Sequence, residues 1–168
     1  CITTETIELL KNNKCDIAFV NLPIDDKDFT LTSVVMPLHD TFVANERFKT
    51  LAEGVQPLKS MHDYPLLMLD TNTVTRKAII QFSHSIGVHL HPEIECGSLE
   101  LMIQLAKNGV GIACVPKEYV RRELGEDKTL FEIKTEPQLP ARSVGIAFPK
   151  GQPVSYACKE FFKMFNGN

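Results

Sequence analysis

Hydrophobic residues recur along the chain at two spacings, one close to 3.6 residues and one of short alternating or continuous runs. Together they predict an alternation of helices and strands. Thr4, Glu5, Ile7, Leu9 and Leu10 predict a capped helix with Glu5 and Glu8 near its positive end, stopped by Asn12-Asn13. Cys15 to Val20 is a buried strand closing in Asn21-Leu22-Pro23, followed by a charged turn from Asp25 to Asp28. Phe29 to Leu38 and Thr41 to Ala44 have the β-branched and apolar character of strands, with Pro37 marking an edge or a break.

The middle of the chain repeats one pattern. Pro57 to Asp63 is a polar-bounded connector, and Pro65 to Leu69 a buried strand ending in the polar run Asp70-Thr71-Asn72-Thr73. Ala78, Ile79, Phe82 and Ile86 then recur at helical spacing, with Gly87 at the C-cap. Val88 to Glu95 alternates like a half-buried strand, and Cys96-Gly97-Ser98 leads into an amphipathic helix over Leu99 to Lys107. A buried strand over Gly111 to Pro116, a short helix over Lys117 to Leu124, strands over Leu130 to Lys134 and Arg142 to Phe148, and a docked helix from Ser155 to Phe165 complete the reading. In that last helix Ala157, Phe161 and Phe165 are expected to face inward. The predicted class is α/β with a mostly parallel sheet.

Composition narrows the partners. A formal charge of −3, with no basic block longer than Arg121-Arg122, leaves nothing from which to build an extended nucleic-acid surface. Five cysteines without a CxxC pair fit reduced, buried thiols and a cytoplasmic location better than a secreted disulfide scaffold. No apolar run approaches the roughly 20 residues that span a bilayer. The chain opens without a start methionine or leader, which is expected of a piece of something longer.

Ligands of α/β sheets bind outside the carboxyl ends of the strands. Here those ends carry Asn21, Thr71 to Thr73, Ser98 and Val115-Pro116, which offer small polar groups and helix-start N–H donors suited to a small anion. Arg76, in the first turn of its helix, either reaches such an anion, pairs with an acid or is solvated. Catalytic chemistry has little to stand on. No nucleophile elbow, P-loop, HExxH or dinucleotide fingerprint occurs, and Glu93 and Glu95 lie on a solvated strand face. His89 and His91 share a strand face but lack a third ligand nearby, His39, His62 and His84 are isolated, and no metal or cofactor is expected. Cys96 and Cys114 read as core residues.

Three stretches together resemble the effector-sensing domain of LysR-type transcriptional regulators. They are Thr3-Thr4-Glu5 through Asp16-Ile17-Ala18-Phe19 with Leu22-Pro23, Gly97-Ser98-Leu99-Glu100-Leu101-Met102-Ile103 through Gly109-Val110-Gly111-Ile112-Ala113-Cys114-Val115-Pro116, and Val144-Gly145-Ile146-Ala147 with the final helix. The resemblance implies two Rossmann-like α/β subdomains joined by crossover strands, as in type II periplasmic binding proteins. Residues 1–40 plus 143–168 would form an incomplete subdomain I and 41–142 subdomain II. It also implies an effector in the cleft between them, lined by Thr71, Asn72, Thr73 and Ser98, and a winged helix-turn-helix preceding Cys1 that carries the DNA contact. A homodimer or homotetramer is implied for the intact regulator. The mixture of Thr, Asn and Ser leans toward a small organic acid. The alternatives are a solute-binding protein of an importer, which needs an export signal, and a small α/β enzyme, for which no triad is present.

Overall fold

The computed structural model describes residues 3–22, 29–31, 35–151 and 155–166. The turn at 25–28, Pro23, the cap role of the Thr4 side chain and the inward face of Phe165 lie outside what is described. The chain divides into two compact units, one made of Cys1–Pro37 with Arg142–Asn168 and the other of Leu38–Ala141.

In the first unit, α1 (Thr3–Lys11) follows the sequence pattern, whereas β1 (Ala18–Leu22) begins three residues later than expected, exposes Phe19 and takes Asn21-Leu22 into its ladder instead of a loop, and β2 (Phe29–Leu31) and β3 (Met36–Leu38) are short strands. The long strand β10 (Arg142–Pro149) lies between β1 and β2 and is antiparallel to both. Ile7 and Leu10 of α1 pack on Ala18, Val20, Phe29 and Ala147, which makes this core. The closing helix α5 (Tyr156–Asn166) turns inward differently from its sequence pattern. Cys158 is buried and Ala157 is exposed, while Phe161 meets Phe19 edge-on at 6.0 Å and Phe162 meets Phe148 at 5.6 Å. The aromatic rings select the face because they remove more apolar area from water than a methyl group can.

The second unit is a six-stranded sheet in the order β5 (Val55–Pro57), β9 (Phe131–Glu136), β4 (Asp40–Ala44), β8 (Ile112–Pro116), β6 (Leu66–Leu69), β7 (Ile94–Cys96). Its inner strands β4, β8 and β6 are apolar on both sides because both faces are covered there, whereas β5, β9 and β7 carry exposed positions. Phe42, Leu66, Met68, Ile112 and Cys114 face α2 (Val74–Ser85) and the 3-10 segments Glu46–Glu53 and Leu58–Asp63. Val43, Leu67, Ala113 and Val115 face α3 (Leu99–Lys107) and α4 (Arg121–Gly125). Gly111 immediately precedes β8 at a point where a Cβ would collide with the Pro65 carbonyl oxygen, which accepts the Ile112 N–H at 2.8 Å.

The expectation of a mostly parallel sheet is corrected. β6 is parallel to β7 and β8, and β5 to β9, but β4 runs antiparallel to both β8 and β9, and the described pairs of the first unit are antiparallel. An antiparallel strand buried on both faces has the same continuous apolar run as a parallel one, so Phe42-Val43-Ala44 carries no directional signal. Val88 to Glu95 keeps its alternation of buried and exposed side chains, yet only Ile94–Cys96 joins a ladder. Pro92, without an N–H, cannot donate to one. The connector at 57–63 is less polar than its borders suggest, since Leu58 and Met61 are fully buried.

Candidate functional site

Because β6, β7 and β8 are parallel neighbours, their carboxyl ends share one edge of the second unit. At β6 the Asp70 carbonyl accepts both the N–H and the hydroxyl of Thr73, at 3.0 and 2.9 Å, and the Asp70 carboxylate accepts the Asn72 N–H at 3.1 Å. This closes the loop into a tight turn and aims the chain into α2. The Thr73 hydroxyl then accepts the Arg76 N–H at 3.2 Å, an N-cap that leaves the first-turn donors of Val74 and Thr75 without an intrahelical acceptor.

Next to it, the Asp70 N–H donates to the Cys96 carbonyl at 3.0 Å, which ties this turn to the end of β7. Ser98 caps α3 through the Leu101 N–H at 3.3 Å, so two helix N-termini of 12 and 9 residues stand at adjacent strand ends. Both present positive dipole ends toward the same edge. Thr71, Asn72 and Ser98 are exposed there. Pro116 ends β8 on the same edge, buried and in register with Asp40 of β4. The structure therefore brings Thr71, Asn72, Thr73, Ser98 and Pro116 to one edge.

Arg76 is not solvated. It is 7% exposed, reaching from α2 to the Met68 sulfur and to the Glu95 carboxylate at 3.5 Å, and its Nε is buried without a hydrogen-bond partner. Burial pushes its pKa down, and the opposing charge of Glu95 offsets only part of that shift. A guanidinium still holds its proton in such surroundings, so a permanent cation underlies the first turn of α2. Glu95 is half-exposed and serves as its counter-ion, a more specific role than the solvated face expected for it.

Asn21 belongs to the framework of the first unit. Its amide oxygen accepts from Arg142 at 2.7 Å, and its backbone N–H donates to Thr3 at 3.2 Å.

Among the described residues, cavities open on the second unit at two places of note. One, of about 490 Å³, runs from Ser98 along Leu99 and Ile103 to Tyr119 and Glu123. The other, of about 360 Å³, lies beside Pro116 between His39, Asp40, Lys117, Glu132, Lys134 and Thr135.

The second cavity rests on contacts that sequence reading missed. Glu118 accepts from the His39 backbone N–H at 3.1 Å and lies 2.8 Å from its ring Nδ1, and Lys117 pairs with Glu132 at 2.7 Å. No local pattern links residues 79 positions apart. His39 and His84 are likewise not isolated, since the His84 ring lies 4.9 Å from that of His89. The described cysteines, Cys15, Cys96, Cys114 and Cys158, are free thiols, and burial pushes the pKa of Cys96 up. Among the described residues no helix is long and apolar enough to cross a membrane.

Residues 2–167 match the family model described as "LysR substrate binding domain". A RuBisCO operon transcriptional regulator of Acidithiobacillus ferrooxidans is 26% identical over 115 residues, 68% of this chain. The chain spans only 36% of that relative's length. Among solved structures, the Synechocystis PCC6803 CcmR regulatory domain in complex with 2-PG superposes with a TM-score of 0.86 at 19% identity, covering 98% of this chain and 78% of that one. The QuiR effector-binding domain in complex with shikimate gives 0.83 at 20% identity, over 97% and 76%. The bromide-bound regulatory domain of HypT from Salmonella typhimurium gives 0.77 at 16% identity, over 99% and 78%. At these identities the likeness establishes the fold, two α/β units of the type II periplasmic-binding kind.

Proposed function

The chain belongs to the LysR substrate-binding domain family, and from that premise we propose that it senses a small anionic effector for a LysR-type transcriptional regulator. The family and its structural neighbours are regulatory domains, and this reading assigns the chain no catalytic step of its own. The observation that carries the proposal is the pair of capped helix N-termini at Thr73 and Ser98, at the carboxyl ends of the neighbouring strands β6 and β7, with the buried Arg76 cation in the first turn of α2.

Such an edge recognises an oxyanion by N–H donation and positive potential, with Thr71 and Asn72 adding exposed hydroxyl and amide groups. The Asp70 carboxylate accepts the Asn72 N–H and so braces the turn that carries these donors. Pro116 contributes shape at the adjacent strand end. The bromide ion named for HypT and the shikimate named for QuiR support an anionic ligand, and the 2-PG named for CcmR supports a small one.

In the whole regulator, DNA contact falls to a separate winged helix-turn-helix, in a cytoplasmic homodimer or homotetramer. Regulation then requires that the effector bind one functional state of the assembly more tightly than the other, since equal affinity shifts nothing.

Isothermal titration with shikimate, 2-PG and simple carboxylates tests the reading, using Asn72→Ala and Ser98→Gly. Glycine keeps most of the capping preference while removing the hydroxyl, so fold is retained. Weaker binding of an oxyanion in both variants is expected. Unchanged affinity in both, with native circular dichroism, refutes the placement.

A further inference from the structure

We infer that His84 and His89 form a two-ligand chelating site for a borderline divalent metal such as Ni(II) or Zn(II). The helix end creates it. Gly87 takes φ +72°, its N–H donates to the His84 carbonyl at 3.0 Å, and the Val88 N–H donates to the Ser83 carbonyl at 2.8 Å. These two bonds and the left-handed glycine make a Schellman turn, which reverses the chain against the last turn of α2. The reversal sets the His89 ring 4.9 Å from the His84 ring, with the planes at 52°.

That separation suits a shared metal. With metal–nitrogen bonds of 2.0–2.1 Å, two imidazoles on one tetrahedral ion have centroids about 5.2 Å apart. Both side chains are exposed, so they can turn their nitrogens to a common point without disturbing the core. Among the described residues neither ring makes a hydrogen bond or ion pair, so their acceptor nitrogens are not already committed.

His91 stacks at 6.5 Å from His89, beyond the spacing for the same ion. No three His, Cys, Asp or Glu side chains among the described residues form a metal cluster, so water fills the remaining positions. The negative end of α2 adds to the attraction for a cation. Imidazole donors favour Zn and Ni over Mg or Ca. Occupied, the site fastens the segment after Gly87 to the helix it follows. Sequence spacing alone hides the pair, because the two ligands stand five positions apart, one in α2 and one beyond its end, and only the turn brings them together.

The test is titration of the 168-residue chain with NiCl2, followed residue by residue through paramagnetic broadening of amide NMR signals and, in parallel, by calorimetry. Saturable broadening centred on residues 83–91 is expected. The second imidazole binds intramolecularly, so His84→Ala and His89→Ala should each weaken binding on the order of 10²-fold. His62→Ala, on a different segment, should leave it unchanged. Broadening centred at a thiol or another histidine, or full affinity retained in His84→Ala, overturns the proposal.

Discussion

Arg76 and Glu95 form an ion pair whose two members should respond to mutation by unequal amounts. At 3.5 Å and an effective dielectric constant of about 20, the gross attraction is about 5 kcal/mol. Against it stand a desolvation penalty of several kcal/mol for the buried guanidinium and about 1–3 kcal/mol for an Nε without a partner. These terms nearly cancel. Methionine has a similar length, no buried polar atom, and a neighbour of its own kind in Met68, so Arg76→Met is expected to change stability by no more than about 1 kcal/mol in either direction. Glu95, left alone, is half-exposed and remains hydrated.

The reverse deletion strands the cation. Glu95→Gln removes the countercharge from a guanidinium that is 7% exposed and is expected to cost about 1–3 kcal/mol, less than a fully buried pair because water reaches this carboxylate. Urea unfolding followed by circular dichroism measures both, with the slope checked for constancy. Arg76→Met should at the same time weaken oxyanion binding, because the fixed cation beneath α2 is gone. A loss above about 3 kcal/mol in Arg76→Met with a neutral Glu95→Gln would refute the reasoning.

Gly111→Ala forces a Cβ into collision with the Pro65 backbone oxygen and should cost about 2–4 kcal/mol, whereas Gly54→Ala, with nothing within 4 Å, should fall within about 0.5 kcal/mol of wild type. Comparison of their urea midpoints checks this, and equal midpoints would count against the close approach. Burial pushes the Glu118 carboxyl up, but hydrogen bonds from the His39 ring and backbone outweigh it, so the net shift is down. A lowered carboxylate stabilises the fold above its unfolded value near 4.3 and loses that contribution as pH falls through the folded value, so Glu118→Gln should flatten the acid limb of a stability–pH curve below pH of about 4.5. An unchanged acid limb speaks against the clamp. Thr73→Ala removes the N-cap of α2 and should cost about 1 kcal/mol, with Thr73→Ser restoring most of it in the same unfolding assay.

Much of the second unit is legible in the chain because burial on both faces writes continuous apolar runs such as Pro65 to Leu69 and Ile112 to Pro116. The helix starts are legible for a related reason, since Thr73 and Ser98 are capping residues followed by helical periodicity. Direction within the sheet is not, as β4 shows. The segment from Glu46 to Glu53 buries no side chain fully, with Phe48 and Leu51 only partly covered against the core, so its short apolar trace is weak, and strand β5 is three residues with Gln56 half-buried between exposed neighbours.

At the candidate site the polar loops were readable and the electrostatics beneath them were not. Arg76 occupies a position in a first turn where a cation is ordinarily solvated, and its burial depends on Met68 and Glu95, which only the folded sheet supplies. The His39–Glu118 contact is nonlocal in the same way. The His84–His89 pair had one local signal, the glycine after the last helical turn, whose left-handed conformation reverses the chain within two residues.

The division of the chain also sets an order of completion during synthesis. Residues 38–141 form one uninterrupted unit, while the other unit is assembled from both flanking segments. Its middle strand, β10, pairs Ala147 with Ala18 across 129 positions of sequence. With the chain emerging from its amino end, the ladder of the second unit has all its strands available before a single residue of β10 exists. The first unit must hold β1 without its partner through all of that interval, and its sheet closes only when the latest strand arrives to separate and join the two earliest.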